Sequence, residues 1–162
     1  MRLGTAATAL VLCAGIAAAA PDPRLDLTAF FTGHTRAENV MKIAFHRATP
    51  LLVESVGGKG DKGDFVLIDT VHEGDKPVQM RKWIMRSAGP NHMTGMLTDA
   101  VSPVDLVVEG DTAIIRYKMK GGLNIEQRMQ LQRDGKTLSN HVVAKKLGIR
   151  FARVDGTVRK LD

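Results

Sequence analysis

The chain reads as an all-β protein, an antiparallel up-and-down meander that closes into a barrel behind a cleaved N-terminal export segment. Three observations lead there. From Thr35 onward, apolar residues recur at every second position, as on a strand with one buried face. Clusters of Gly, Pro, Asn and Asp interrupt that alternation at hairpin-length intervals. No stretch carries a helical period long enough for a crossover helix, so successive strands must pair antiparallel. A long open meander would expose two aggregation-prone edges, and closure around an interior pocket removes them. A two-sheet sandwich is the alternative.

The chain has 162 residues, enough for one domain. A hydrophobic share of 44% with 25% charged residues is that of a globular protein and argues against disorder. Aromatics make up only 4%, with a single Trp83 and a single Tyr117, while Met is comparatively frequent. An interior built from this set is aliphatic and thioether-rich, hence adaptable.

The N-terminus has the parts of a signal peptide. Arg2 supplies a positive region, Leu3–Ile16 an uncharged apolar run, and Ala17–Ala20 the small residues that a signal peptidase selects. A cut after Ala20 would place Pro21 beside the scissile bond, so cleavage after Ala19 is expected. Residues 1–19 are therefore read as the leader and residues 20–162 as a barrel domain in the periplasm. A retained membrane span is disfavoured because the apolar run is short for a bilayer. Cys13 raises the alternative of a lipid anchor, but Leu12 stands where lipoprotein signals carry Gly, Ala or Ser. Losing Cys13 leaves no thiol for a disulfide, a metal or a nucleophile.

The formal charge is +6, and +5 once Arg2 leaves with the leader. Much of the excess falls late, at Lys145, Lys146, Arg150, Arg153, Arg159 and Lys160. Without interleaved aromatics these residues make a poor nucleic-acid surface. They suit an anionic membrane surface, or ordinary solvated strand positions.

The elements follow in order. Leu25–Phe31 is expected to form a helical turn that plugs one end of the domain with Phe30 and Phe31. Thr35–His46 places Ala37, Asn39, Met41, Ile43 and Phe45 on one face, and Arg36, Glu38 and Lys42 on the other. Leu51–Val56 is a second strand, ended by a flexible glycine-rich loop over Gly57–Gly63 that is placed to act as a lid at the barrel mouth. Strands are then expected over Asp64–Glu73, Val78–Ser87, His92–Leu97, Pro103–Glu109 and Thr112–Met119. Leu123–Arg133 alternates most clearly, with Leu123, Ile125, Met129 and Leu131 on one face. Thr137–Leu147 and Arg150–Lys160 complete nine or ten strands.

Several segments taken together resemble an uncharacterised bacterial envelope family, domain of unknown function 3833. They are Phe30-Phe31-Thr32-Gly33, Arg81-Lys82-Trp83, Met93-Thr94-Gly95, and Asn140 followed by Lys146-Leu147-Gly148. The order and spacing of these segments carry the resemblance over nearly the whole chain after the leader. The family tends to have an aromatic where this chain has Leu147, and an acidic-aromatic cluster where it has Glu126-Gln127-Arg128. The resemblance implies a lipocalin-like barrel, export or lipid anchoring, and work alongside enzymes that modify fatty acyl chains. It implies no catalytic residue.

Arg81 and Trp83 share a strand face with Gln79 and Met85. If that face is interior, a guanidinium beside an indole can receive the carboxylate or phosphate head of an amphiphile. The structural alternative pairs Arg81 with Glu73 or Asp69 and lets Trp83 cap the core. The candidate binding residues are Arg81, Trp83, Met85, Met41, Tyr117 and Met129. His34, His46, His72, His92 and His141 show no metal-binding spacing, and His92-Met93 with Met96 is better read as a hairpin than as a copper site. No G-x-S-x-G elbow and no phosphate-binding loop occur. Neither a catalytic residue, a metal nor a cofactor is expected. The leading expectation is a periplasmic protein that binds a lipid or other apolar small molecule. The alternatives are an accessory envelope protein acting through its basic surface, and a lipid-modifying enzyme. The oligomeric state is left open.

Overall fold

The computed structural model describes residues 24–162, so the expected leader and Cys13 lie outside the described residues. A short helix, α1 (Leu27–Phe31), precedes ten strands. These are β1 (Gly33–Ile43), β2 (Thr49–Lys59), β3 (Phe65–Glu73), β4 (Gln79–Gly89) and β5 (His92–Leu97). There follow β6 (Val104–Glu109), β7 (Thr112–Met119), β8 (Leu123–Leu131), β9 (Thr137–Lys146) and β10 (Ile149–Lys160). Each strand pairs antiparallel with its sequence neighbour. β1 then pairs with β10, from Thr35 opposite Lys160 to Ile43 opposite Ala152, and the sheet closes into a barrel.

Alternation fixes what faces inward. Along β8, Ile125, Gln127 and Met129 are buried while Asn124, Glu126, Arg128 and Gln130 are exposed. The interior thus collects one residue in two from every strand, with Leu97, Val104, Ala113, Ile115 and Leu138 among the most buried. Fully burying a large aliphatic side chain contributes about 1.5–3 kcal/mol, which lets a barrel of this size dispense with covalent staples.

α1 closes the barrel end at which β1 begins. Five residues cannot hold a helix alone, and three devices hold this one. Asp26 caps it, accepting from the Ala29 N–H at 3.0 Å. Leu27, Phe30 and Phe31 are buried beneath it, the two rings packing edge to face at 5.2 Å. The Lys160 ammonium, at the end of β10, donates to the carbonyls of Ala29, Phe30 and Thr32 at 3.2, 3.1 and 2.5 Å. The cap hydrogen bonds hold the Asp26 carboxyl below its ordinary range, first through Ala29 and then through the Thr28 hydroxyl.

Three expectations need correction. β2 runs on to Lys59, so Gly57–Lys59 is strand, and the turn is confined to Gly60–Asp64. Gly57 is needed there for space, since a Cβ would overlap the Phe31 carbonyl oxygen. That turn also lies at the α1 end. Phe45, expected to continue the strand face of Ala37, Asn39 and Met41, is fully exposed in the β1–β2 turn, because β1 ends at Ile43 and alternation ends with it. Leu147, expected at the end of a strand, sits in the two-residue β9–β10 turn.

Candidate functional site

Inside the barrel, above α1, lies a cavity of about 190 Å³. Leu27 and Phe31 of α1 face it, and Phe65, Leu67, Met85, Met93, Ile115 and Met129 build its apolar wall. Two polar groups interrupt that wall.

The first spans β2, β3 and β4, where Ser55, Asp69 and Arg81 stand opposite one another in register. Asp69 is 8% exposed, and its carboxylate accepts from the Ser55 hydroxyl at 2.7 Å and from the Trp83 indole N–H at 2.7 Å. Burial pushes the Asp69 carboxyl above its ordinary range, and its two hydrogen bonds and Arg81 only partly offset this. Arg81 donates from Nε to Asp99 of the β5–β6 loop at 3.0 Å. Its terminal nitrogens have no partner among the described residues. Tyr117 meets Trp83 edge to face at 5.8 Å and 89°. Burial, then the nearby carboxylates, raises the Tyr117 hydroxyl above its ordinary value, with Arg81 opposing them.

The second group is a ladder of carboxamides. Gln127 Nε2 donates to Asn140 Oδ1 at 2.8 Å, and Asn140 Nδ2 donates to Asn39 Oδ1 at 3.0 Å. Asn39 on β1 and Asn140 on β9 are separated by β10, and the residue between them is Gly156. A Cβ at Gly156 would overlap Asn39 Oδ1, so the glycine opens the path for the bond. The ladder uses one end of the Asn39 and Gln127 amides; both residues line the cavity, and their other ends have no side-chain hydrogen bond among the described residues.

Of the residues singled out in the sequence, Arg81, Trp83, Met85, Tyr117 and Met129 line this cavity. Met41 does not. It sits further along β1 toward the end away from α1, opposite Val154 and Thr49. Periodicity assigns a residue its face but not its depth along the barrel axis. The carboxylate on Arg81 is Asp99, rather than Glu73 or Asp69. Asn39, Ser55, Gln127 and Asn140 were not among the expected binding residues, although their signal is present: a polar residue on an otherwise apolar strand face. Four histidines pair separately with carboxylates, His34 with Asp162, His72 with Glu54, His92 with Asp105 and His141 with Asp155.

Among solved structures the barrel is similar to an S-type phycobiliprotein lyase from Guillardia theta, with a TM-score of 0.66 and 6% identity over 83% of this chain and 90% of that one. It is also similar to a protein of unknown function of the DUF3598 family from Nostoc punctiforme, with a TM-score of 0.60 and 10% identity over 86% of this chain and 50% of that one. At such identities the likeness is one of fold, a lipocalin-like barrel. No curated protein matches the chain significantly. The family described as protein of unknown function DUF3833 matches residues 9–160, and the chain belongs to that family.

Proposed function

We propose that the protein binds a small apolar molecule with an anionic head, of the single-chain acyl carboxylate class, inside its barrel, and that it does so in the periplasm after export. The observation that carries this reading is Arg81, a guanidinium on the cavity wall whose terminal nitrogens have no partner among the described residues, next to a methionine- and phenylalanine-lined space. A carboxylate head takes the two open donors of the guanidinium in the bidentate manner that arginine favours. The unused Nδ2 of Asn39 offers a second donor, and the unused Oε1 of Gln127 an acceptor for a hydroxyl on the ligand.

Cavity size narrows the class. A cavity of about 190 Å³ exceeds the ~150 Å³ that admits benzene and falls short of the ~300 Å³ typical of drug-sized sites. A short acyl chain or one ring system fits it as it stands, a chain as long as dodecanoate requires it to expand, and a two-chain lipid is excluded. Met85, Met93 and Met129 can change rotamer and lengthen the space for a longer chain. The likeness to a phycobiliprotein lyase barrel is compatible with a small-molecule ligand and adds the fold alone to the argument.

Trp83, the sole tryptophan, lines the cavity and supplies its own reporter. Titration with dodecanoate should quench or shift its fluorescence with saturation near one per chain. Losing a charge-assisted bond of ~1.5–3 kcal/mol, Arg81→Gln should bind roughly ten- to hundredfold more weakly. Native mass spectrometry of protein purified from its producing cells should show the acyl species. Protein that carries no ligand and leaves Trp83 unresponsive to dodecanoate would sink the proposal.

A further inference from the structure

The barrel end away from α1 has an unusual rim. One arc of it is built by the β1–β2, β7–β8 and β9–β10 turns, which are neighbours around the barrel because β1 pairs β10. The stretches Val40–Val53, Tyr117–Ile125 and Val142–Val154 contain no Asp or Glu. They carry Lys42, Arg47, Lys118, Lys120, Lys145, Lys146, Arg150 and Arg153. Of these, only Arg153 has a carboxylate within ion-pair distance among the described residues. Acidic residues at this end lie on the other arc, as Glu73, Asp75 and Asp99. The turns at the α1 end, by contrast, mix signs, with Asp61, Lys62, Asp111, Arg133, Asp134 and Lys136.

Apolar tips project from the basic arc. Phe45 is fully exposed, Leu147 is 91% exposed and Ile149 75% exposed. Phe45 and Leu147 also have backbones in the left-handed region, at φ of 64° and 50°. A third non-glycine there, Asn91, is of a type that tolerates that conformation, and the rest are glycines. Leu147-Gly148, both at positive φ, form a two-residue hairpin turn of the kind that favours Asn-Gly. Bulky apolar side chains thus occupy strained positions where they bury nothing. Strain with no return in packing points to function.

We propose that this rim docks on an anionic lipid bilayer, Phe45, Leu147 and Ile149 entering the headgroup–acyl boundary while the unpaired cations meet lipid phosphates. Apolar tips ringed by cations match the two layers of such a surface, a polar anionic sheet over an apolar interior. An acidic protein partner would satisfy the charges but leave the protruding tips unexplained.

The test uses protein recovered from its producing cells, so that wild type and variants share one N-terminus. Cosedimentation is measured with phosphatidylglycerol–phosphatidylcholine vesicles and with phosphatidylcholine alone. Wild type is expected on the anionic vesicles, with binding falling as salt rises. The Phe45→Asn/Leu147→Asn double variant relieves the turn strain, so it should melt no lower than wild type yet lose at least ~tenfold in vesicle affinity. Lys145→Gln/Lys146→Gln should lose roughly fivefold per cation. All variants should retain the dodecanoate response of Trp83, which separates this proposal from the cavity reading. The proposal is overturned if wild type ignores anionic vesicles at low salt, or if binding is indifferent to lipid charge and survives both variants. It is equally overturned if the double variant abolishes self-association instead, making the occupant a second copy of the chain.

Discussion

At Asp69, desolvation and hydrogen bonding oppose each other, and desolvation prevails. The folded state therefore holds the Asp69 proton more tightly than the unfolded chain does. By linkage, its contribution to stability is full below the ordinary carboxylate range and is lost as pH rises through the raised folded value. Asp26 and Asp134 behave oppositely, because N–H and O–H donors favour their ionised forms and their contribution is lost as pH falls. Asp69→Asn removes one titration and keeps an acceptor for the Trp83 indole. Its stability relative to wild type should accordingly rise as the pH climbs above the ordinary carboxylate value of about 4, as read from urea midpoints. Parallel pH profiles for the two proteins would show that Asp69 ionises without cost. A second residue-scale expectation concerns Thr35, 1% exposed, whose hydroxyl has no partner among the described residues. Thr35→Val replaces an unsatisfied polar atom with a methyl of similar shape and should stabilise by about 1 kcal/mol in thermal unfolding.

At the scale of elements, strands were legible wherever alternation and turn residues agreed, as in β8 with Gly121-Gly122 before it and Asp134-Gly135 after it. Legibility failed where a residue's reason lies on another element. Gly57 looks like a loop residue until Phe31 is placed against it. Asn39 and Asn140 are 101 positions apart, and no local pattern announces that they bond across Gly156. Asp99 reaches Arg81 from a loop whose path depends on the bridge between Ala100 and Met119. Which residues of the site share a face could be read, but which face is interior, and its register and depth, could not. The plug illustrates the same point, since α1 was visible as Leu25–Phe31 while its clamp, Lys160, reads locally as the end of a basic strand. Lys160→Met keeps the side-chain length and removes three donor contacts to carbonyls. It should cost about 1–3 kcal/mol and raise amide exchange across α1 before the strands respond. Loss of stability with α1 protection unchanged would relocate the role of Lys160 to the β1–β10 seam.

For the whole molecule, closure is uneven. β10 pairs with β9 from Ile149 to Arg159, and β8 with β9 from Leu123 to Leu131. On the opposite wall β5 meets β6 only through His92–Gly95 and Val104–Val107, and β6 meets β7 only through Asp105–Glu109. Each registered pair adds ladder hydrogen bonds that must break together, so the β5–β6 seam has the lowest barrier to local opening. Met93 and Leu106 on that seam both line the cavity. Opening it would therefore widen the space that a ligand enters and leave the carboxamide ladder of β8, β9 and β1 intact, while Asp99 of the β5–β6 loop, the partner of Arg81, moves with the seam. Native-state hydrogen exchange should find β5 and β6 amides exchanging through smaller openings than those of β8–β10. Dodecanoate, if it seats against Met93 and Leu106, should slow exchange at β5 and β6 more than at β1 and β2. Uniform protection around the barrel would mean that the molecule opens as one unit, and a ligand would then have to pass the rim opposite α1.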